Sequence, residues 1–279
     1  AFMAAVVSVT YAAIVLTLPR GFDWTDEAFV DTMIASNRIA TEVPLGFQHL
    51  LHPLYELTGQ SALALRITRL VGYVLLSGAL VWCARVALRW VGINLSRSGW
   101  AFVLLLAQVG TFLAWSYPPR YLSYNELGSW FSQLGVALIL LALAWGVASP
   151  RHRAPARVLG LIWPGLGALT TLLLFAKVTS AMVFGVFLLL GLFIPNPCYR
   201  LWKRLLGAGA GATVMLLVLW ATGSPIVAYL KNAFALVFDR SAQDAAGHPL
   251  SAMISTYANS LTSMGRALVP ALLLFTLSM

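Results

Sequence analysis

Residues 19–55 read PRGFDWTDEAFVDTMIASNRIATEVPLGFQHLLHPLY, and they form the most polar stretch of an otherwise apolar sequence. The apolar run 1–18 precedes them, and a second apolar run begins near Ser61. A short turn is enough to join two membrane-spanning helices, so an acidic loop of this length indicates chemistry on a polar substrate beside a bilayer. Six of the nine carboxylates of the chain lie in this stretch or one residue beyond it: Asp23, Asp26, Glu27, Asp31, Glu42 and Glu56.

The composition predicts a polytopic, all-α membrane protein, a transmembrane helical bundle. Hydrophobic residues make up 60% of the 279 residues and charged residues only 10%, which is typical of chains that bury their surface in lipid. A chain of this length accommodates roughly seven or eight spans of about 20 residues each. We expect residues 1–279 to form a single transmembrane domain. Because the sequence begins with Ala1 and ends inside an apolar run, we also expect it to be truncated at both ends.

The apolar runs and the helix breakers between them predict where the spans lie. The first outer loop, 19–60, is expected to carry two short amphipathic helices that lie along the membrane surface rather than cross it. We predict these two helices at 26–38 and 47–57, and a second outer loop at 223–263. The predicted spans are 1–18, 63–87, 100–115, 124–148, 158–175, 178–194 and 205–222, with an eighth span beginning near the end.

The charge distribution predicts the orientation of the chain. Its net charge is +9, and the excess lies entirely in loops that alternate with the acidic ones. This positive-inside bias places the 19–60 loop on the non-cytoplasmic side and disfavours a nucleic-acid role. We expect the membrane to be the bacterial inner (plasma) membrane. Cys83 and Cys198 map to the cytoplasmic side, where thiols stay reduced. The loops with the excess hold nine cations and no acid: Arg85, Arg89, Arg97, Arg151, Arg153, Arg157, Arg200, Lys203 and Arg204.

The acidic residues of the first outer loop are the first candidates for catalysis. Thr25 is placed to cap a helix, and Asp26 and Glu27 in its first turn would complement the helix dipole, which is a sufficient structural account of one acid. Capping and the helix dipole do not explain why Asp23, Glu27 and Asp31 follow one another at four-residue intervals, which crowds like charges on one helix face. Such crowding beside a membrane raises the pKa of at least one carboxyl group and favours general-base chemistry. We therefore predict Asp26 and Glu27 as catalytic and Asp23 as substrate-binding.

Two histidines follow in the same loop. His49 and His52 lie three residues apart and can share one helix face. They lack a third ligand at motif spacing, so the sequence predicts no zinc site. His52-Pro53 is instead interpreted either as the start of a helix or, through His52, as a polar group that lines the substrate site.

The link before the fourth predicted span holds further candidates. Ser123-x-x-Glu126 fits a capping box, which accounts for Glu126 structurally. Tyr124 fits the aromatic belt of a membrane interface. Arg120, Tyr124 and Asn125 lie among polar groups where an anion can be held, and we predict that they bind substrate.

Further candidate cations lie at the outer ends of predicted spans or in outer loops. Lys177 lies in a very short hairpin, where a snorkelling lysine and a phosphate-binding lysine are about equally plausible readings. Arg240 and Lys231, in the second outer loop, are similar candidates. Arg66 and Arg69 can pair with acids of the loops, which would be a structural role.

The order of these motifs resembles that of the GT-C superfamily of membrane glycosyltransferases. The nearest type is family 39-like, that of the protein O-mannosyltransferases and the lipid A aminoarabinose transferases. The resemblance covers the first two-thirds of the chain, although each motif is short. The motifs are Trp24-Thr-Asp26-Glu27-Ala28, His52-Pro53-Leu54-Tyr55 with Gly59-Gln-Ser61 and Arg66, Ser123-Tyr-Asn125, and Lys177-Val-Thr179-Ser-Ala.

The resemblance implies transfer of a sugar from a polyprenyl-phosphate donor to an acceptor hydroxyl on the non-cytoplasmic face. By this resemblance Asp26 would be the general base of an inverting reaction, with Glu27 beside it. The leaving lipid phosphate needs a positive charge, which Lys177, Arg120 or Arg240 would supply; a divalent metal ion (Mg²⁺ or Mn²⁺) held by Asp23 and Asp26 is a substitute. The chain departs from the family pattern in having fewer spans and no sizeable outer domain at its C-terminal end.

Two other classes of function compete with this one. A transporter would carry charged residues near the middle of its spans, whereas here the charges gather at the ends. A non-catalytic scaffold subunit of a larger membrane complex, with protein subunits as partners, is the stronger alternative. The sequence does not identify the sugar or the acceptor.

Overall fold

The structure, a computed structural model, describes residues 2–19, 26–38, 45–116, 120–148, 156–193 and 200–238, and five single residues between 255 and 262. Within these ranges the only regular secondary structure is α-helix, which confirms the expected all-α class. The ten helices of these ranges are α1 (Phe2–Thr17), α2 (Asp26–Ser36), α3 (Phe47–Leu57), α4 (Ala62–Trp90), α5 (Arg97–Ser116), α6 (Tyr124–Val147), α7 (Ala156–Ala176), α8 (Val178–Phe193), α9 (Leu201–Ala221) and α10 (Ile226–Phe238).

Four of the described helices, α4, α5, α6 and α9, are long and apolar enough to cross a bilayer. Their lengths range from 20 to 29 residues, and about 20 apolar residues suffice for a span. The apolar parts of α1, α7, α8 and α10 are shorter. Membrane-spanning character is thus supported by four helices, and the total of seven or eight spans stays a prediction.

Contacts divide the chain into two units. The first comprises residues 1–39 and 45–226, and the second comprises residues 40–44 and 227–279. Helix α10 lies in the region that was predicted as the second outer loop, so that region is not a loop throughout. The reason is its sequence, IVAYLKNAFALVF, in which only Lys231 and Asn232 interrupt a run of apolar residues long enough for a helix of three turns.

Helices α7 and α9 of the first unit pack against each other at backbone distance. A Cβ atom placed on Gly167 of α7 would lie 1.8 Å from the carbonyl oxygen of Ala208, and one on Gly211 of α9 would lie 1.9 Å from that of Pro164. Small residues let helices approach this closely, and van der Waals packing then holds them where lipid offers no hydrophobic driving force. Glycine is therefore required at both positions.

The interior of the first unit is largely apolar, and one of its polar networks lies between α1, α4 and α5. Trp145, Leu166 and Phe184 belong to the main buried cluster. In the polar network the Gln108 side chain donates a hydrogen bond to Ser77 Oγ at 2.8 Å and accepts one from the Tyr11 hydroxyl. Gln108 is thereby satisfied in apolar surroundings, as buried polar groups must be.

Candidate functional site

Glu27, in the first turn of α2, is almost fully buried, with 1% of its surface exposed. Its Oε2 atom lies 2.6 Å from Nη2 of Arg66 on α4, and its Oε1 atom accepts a hydrogen bond of 3.0 Å from the backbone N–H of Arg120. Arg66 also donates from Nη1 to the carbonyl oxygen of Leu18, at 2.8 Å. One carboxylate thus ties α2 to α4 and to the segment before α6. This geometry gives Glu27 a structural role, and its catalytic role stays a prediction.

A second buried ion pair lies one helical turn further along α4. Arg69 Nη2 lies 3.0 Å from Oε1 of Glu126, and the Arg69 guanidinium lies 5.2 Å from the ring centre of Trp115. The other oxygen of Glu126 accepts hydrogen bonds from the backbone N–H and the hydroxyl of Ser123. The capping box expected at the start of α6 is therefore confirmed. Arg66 and Arg69 both pair with acids, as expected, and they join α4 to two different elements.

Asp31 lies one turn after Glu27, and its described partners are tyrosines. The hydroxyl of the buried Tyr121 donates a hydrogen bond of 2.8 Å to Asp31 Oδ1. Burial and the nearby Asp31 raise the pKa of Tyr55 to about 12, and the same causes raise the pKa of Tyr121 well above its usual range. Both phenols therefore remain protonated at neutral pH and can donate to the carboxylate. Glu27 and Asp31, two of the acids at four-residue spacing, are thus held by different partners.

Three of the predicted site residues lie wholly or partly outside the described structure. Asp26 is the first residue of α2, but the position of its side chain is not described. Asp23 and Arg240 lie outside the described residues. The general-base role of Asp26 and the substrate-binding roles of Asp23 and Arg240 therefore stay predictions.

The structure brings three other predicted residues together at the start of α6. Lys177, between α7 and α8, is half-buried. Its Nζ donates a hydrogen bond of 2.6 Å to Asn125 Oδ1 and lies 5.0 Å from the ring centre of Tyr124. Burial lowers the pKa of Lys177, and the negative charge of Glu126 partly opposes this effect. We call Lys177, Asn125 and Tyr124 the lysine cluster.

The remaining two candidates, Arg120 and His52, make contacts with α2. Arg120 is exposed, and its backbone N–H is the group that binds Glu27. His52 Nδ1 lies 2.9 Å from the carbonyl oxygen of Ile34, so this ring joins α3 to α2. Pro53 lies inside α3, not at its start as the sequence suggested.

His49 differs from His52 in its surroundings. Its ring lies 6.0 Å from that of Phe175 on α7, and its Nε2 atom is buried without a hydrogen-bond partner. Burial lowers the pKa of His49, with a smaller effect from His52. The two rings therefore serve different contacts, and among the residues that the structure describes no three His, Cys, Asp or Glu side chains are grouped to hold a metal ion. The metal site considered for Asp23 and Asp26 lies outside the described side chains.

A groove of about 850 Å³, which no sequence motif indicated, runs between α4, α6 and α8. It is lined almost entirely by apolar side chains, with Ser132 and Gln133 as the polar exceptions together with the buried thiol Cys83. Alanines on α4 and α6 leave the space, because larger side chains at these positions would fill it. The available signal was the recurrence of alanine on facing helices: Ala84, Ala87, Ala137 and Ala144.

The chain was also compared with known proteins. No protein-family model, curated protein or solved structure matches it.

Proposed function

We propose that this chain is a membrane glycosyltransferase that moves a sugar from a polyprenyl-phosphate donor to an acceptor hydroxyl on the non-cytoplasmic face. The observation that carries the proposal is the lysine cluster. An ammonium group is held 2.6 Å from Asn125 Oδ1 immediately before the first turn of α8. The first N–H groups of a helix lack intrahelical partners and favour anions. A lysine at such a position supplies a positive charge for a phosphate.

The membrane setting explains why this arrangement suits a lipid-linked donor. The tail of such a donor stays in the bilayer while its sugar reaches water, so the reacting atoms lie at the ends of the spans. Lys177 lies at the same end of the helical unit as the two ion pairs of α4. Partial burial strengthens the attraction between its ammonium and an anion, because the local dielectric is lower than that of water.

The reaction needs a base and a stabilised leaving group. Asp26 would remove the proton of the acceptor hydroxyl, and the oxygen would attack the anomeric carbon with inversion. The bond between that carbon and the phosphate oxygen breaks, and the lipid phosphate leaves with the electron pair. Lys177 would stabilise the charge that develops on this phosphate. Glu27 has a supporting part, because it anchors the helix that begins at Asp26.

Substitution of the base tests the proposal. Asp26→Asn should abolish transfer from a polyprenyl-phosphate sugar while leaving the unfolding midpoint unchanged. Lys177→Met should lower the rate, with Glu56→Gln as a control, since Glu56 is exposed and accepts a hydrogen bond from Gln60 at 3.2 Å. Full transfer activity in Asp26→Asn would remove this residue from the mechanism.

A scaffold subunit is the second candidate, and the ion pairs are the observation that favours it. Glu27 and Glu126 both hold helices together, as packing residues of a non-catalytic protein would. Complementation in cells separates the two functions. A scaffold requires Glu27 and tolerates Asp26→Asn and Lys177→Met, whereas an enzyme fails with Asp26→Asn and is impaired by Lys177→Met.

A further inference from the structure

A row of polar side chains on α6 connects the lysine cluster with the groove. Asn125, Ser129 and Gln133 follow one another at four-residue intervals, so they lie on one face of the helix. Lys177 donates to Asn125, and Gln133 Nε2 donates to Ser129 Oγ at 2.8 Å. Gln133 also lines the groove. With a rise of about 1.5 Å per residue, the row covers about 12 Å from the lysine cluster to the start of the groove.

Beyond Gln133 the groove is apolar along the rest of α6. It extends to Val147, with Ala84 and Leu88 of α4 and Phe187 of α8 among its walls. This part of α6 is about 21 Å long at the helical rise of about 1.5 Å per residue. The groove volume, about 850 Å³, lies within the range of about 300–1,000 Å³ that is usual for ligand sites.

The path therefore has one charged end, a polar section and a long apolar section. This order matches an amphiphile with an anionic head and a hydrocarbon chain, because the cation and the apolar walls are complementary to its two parts. From Asn125 to Val147 the path is about 33 Å long at the helical rise. One leaflet of a bilayer is only about 15 Å thick, half of the hydrocarbon core. An ordinary acyl chain with its head at Lys177 would end near the start of the groove.

We infer that the groove between α4, α6 and α8 binds the hydrocarbon chain of a long-chain polyprenyl phosphate whose phosphate is held at Lys177. This inference rests on the proposed function and adds to it the binding site of the donor's hydrocarbon chain. It assigns Ala84 and Ala144 to chain binding and leaves the sugar and the acceptor open. The affinity for lipid phosphates should therefore depend on chain length.

Binding of two probes to the full chain in detergent tests the inference. A long-chain polyprenyl phosphate and geranyl phosphate share the same head and differ in chain length. The long-chain probe should bind the unaltered protein more tightly. Ala84→Phe and Ala144→Phe, two variants on different helices, should each weaken its binding by about tenfold or more, as loss of contact with several methylene groups would. Both should leave geranyl phosphate unaffected.

Control variants separate the groove from the head site. Ala101→Phe places the same side chain on an exposed position of α5 that does not line the groove, and it should bind both probes as the unaltered protein does. Lys177→Met should weaken both probes. Thermal unfolding of each variant verifies that it is folded.

The outcomes are distinct. Equal binding of both probes, unchanged long-chain binding in both groove variants, or equal competition by phosphatidylglycerol would overturn the inference. The expected pattern of binding without any sugar transfer would leave the inference standing and count against the proposed glycosyltransferase activity.

Discussion

Replacing Glu27 by glutamine tests whether the second acid of the Asp26-Glu27 pair acts in folding. The substitution keeps the shape of the side chain and removes its charge. Arg66 would then be buried, at 4% exposure, without the carboxylate that lies 2.6 Å from its Nη2 atom. Removing one partner of a buried ion pair costs about 3–5 kcal/mol. Because the new amide oxygen could still accept the hydrogen bond from Arg120 N–H, we expect the lower end of this range, about 3 kcal/mol.

The assay is reversible unfolding of the purified protein in mixed micelles, followed by circular dichroism. Glu27→Gln should lower the free energy of unfolding, whereas the control Glu56→Gln changes an exposed carboxylate on α3 and should be neutral. A double-mutant cycle with Arg66→Met isolates the pair. The double variant Glu27→Gln/Arg66→Met should be more stable than either single variant, since no uncompensated charge remains buried.

Two results would refute this reasoning. If Glu27→Gln unfolds with the same free energy as the unaltered protein, the carboxylate does not hold α2 to α4. If the effects of the two single variants simply add in the double variant, Glu27 and Arg66 do not stabilise each other. A loss of sugar transfer in a fully stable Glu27→Gln protein would instead assign Glu27 to the chemistry, as the sequence predicted.

Three further predictions concern other parts of the chain. Gly211→Ala should destabilise the protein by about 1–3 kcal/mol because the added methyl group would collide with Pro164. Gly209→Ala should not, because a methyl group at this position of the same helix meets open space. Equal unfolding midpoints for the two variants would contradict the close α7–α9 contact. The pKa of His49 is lowered from its ordinary 6.5, so the stability that the neutral ring contributes is complete above pH 6.5 and is lost as the pH falls towards the lowered pKa. His49→Phe should therefore make the unfolding midpoint less sensitive to acid. A midpoint that depends on pH in the same way in both proteins would contradict this role of His49. The pKa of Lys177 is lowered from the ordinary lysine value of 10.5, so as the pH rises its ammonium is lost, and phosphate-lipid binding should weaken, before 10.5 is reached. Lys177→Arg should retain binding to higher pH. Binding measured at several pH values that shows no difference between the two proteins would contradict a role for this ammonium.

Much of the local structure could be predicted from the sequence because its signals are local. Helix α3 forms at Phe47–Leu57, as the apolar spacing predicted, and α2 forms at Asp26–Ser36, two residues shorter than predicted. The capping box at Ser123 depends on residues three positions apart, so its spacing alone indicated it. Long apolar runs bounded by proline and charge likewise gave helix positions close to the observed ones.

The site could be predicted only in part because its contacts are distant in sequence. Pairing of Arg69 with Glu126 joins residues 57 positions apart, and the Tyr121–Asp31 hydrogen bond joins residues 90 apart. The helical pattern indicates that such side chains lie at the same end of the bundle, but it does not select partners. The groove was missed because a space depends on side chains of three helices together. Its alanines are individually ordinary residues of apolar helices.

The length of α4 has a consequence for how the protein fits a bilayer. Its 29 residues extend about 43 Å at the usual helical rise, whereas a hydrocarbon core is about 30 Å thick. To fit all of α4 within this core by tilting alone, the helix would need a tilt of about 45°, beyond the range of about 0–40° found for transmembrane helices. A helix of this length that crosses a bilayer must therefore project at least one end among the lipid headgroups, and the arginine-bearing turns near the two termini of α4 are suited to that zone. Membranes of different thickness should thus shift how deeply the Glu27 contact sits below the water surface.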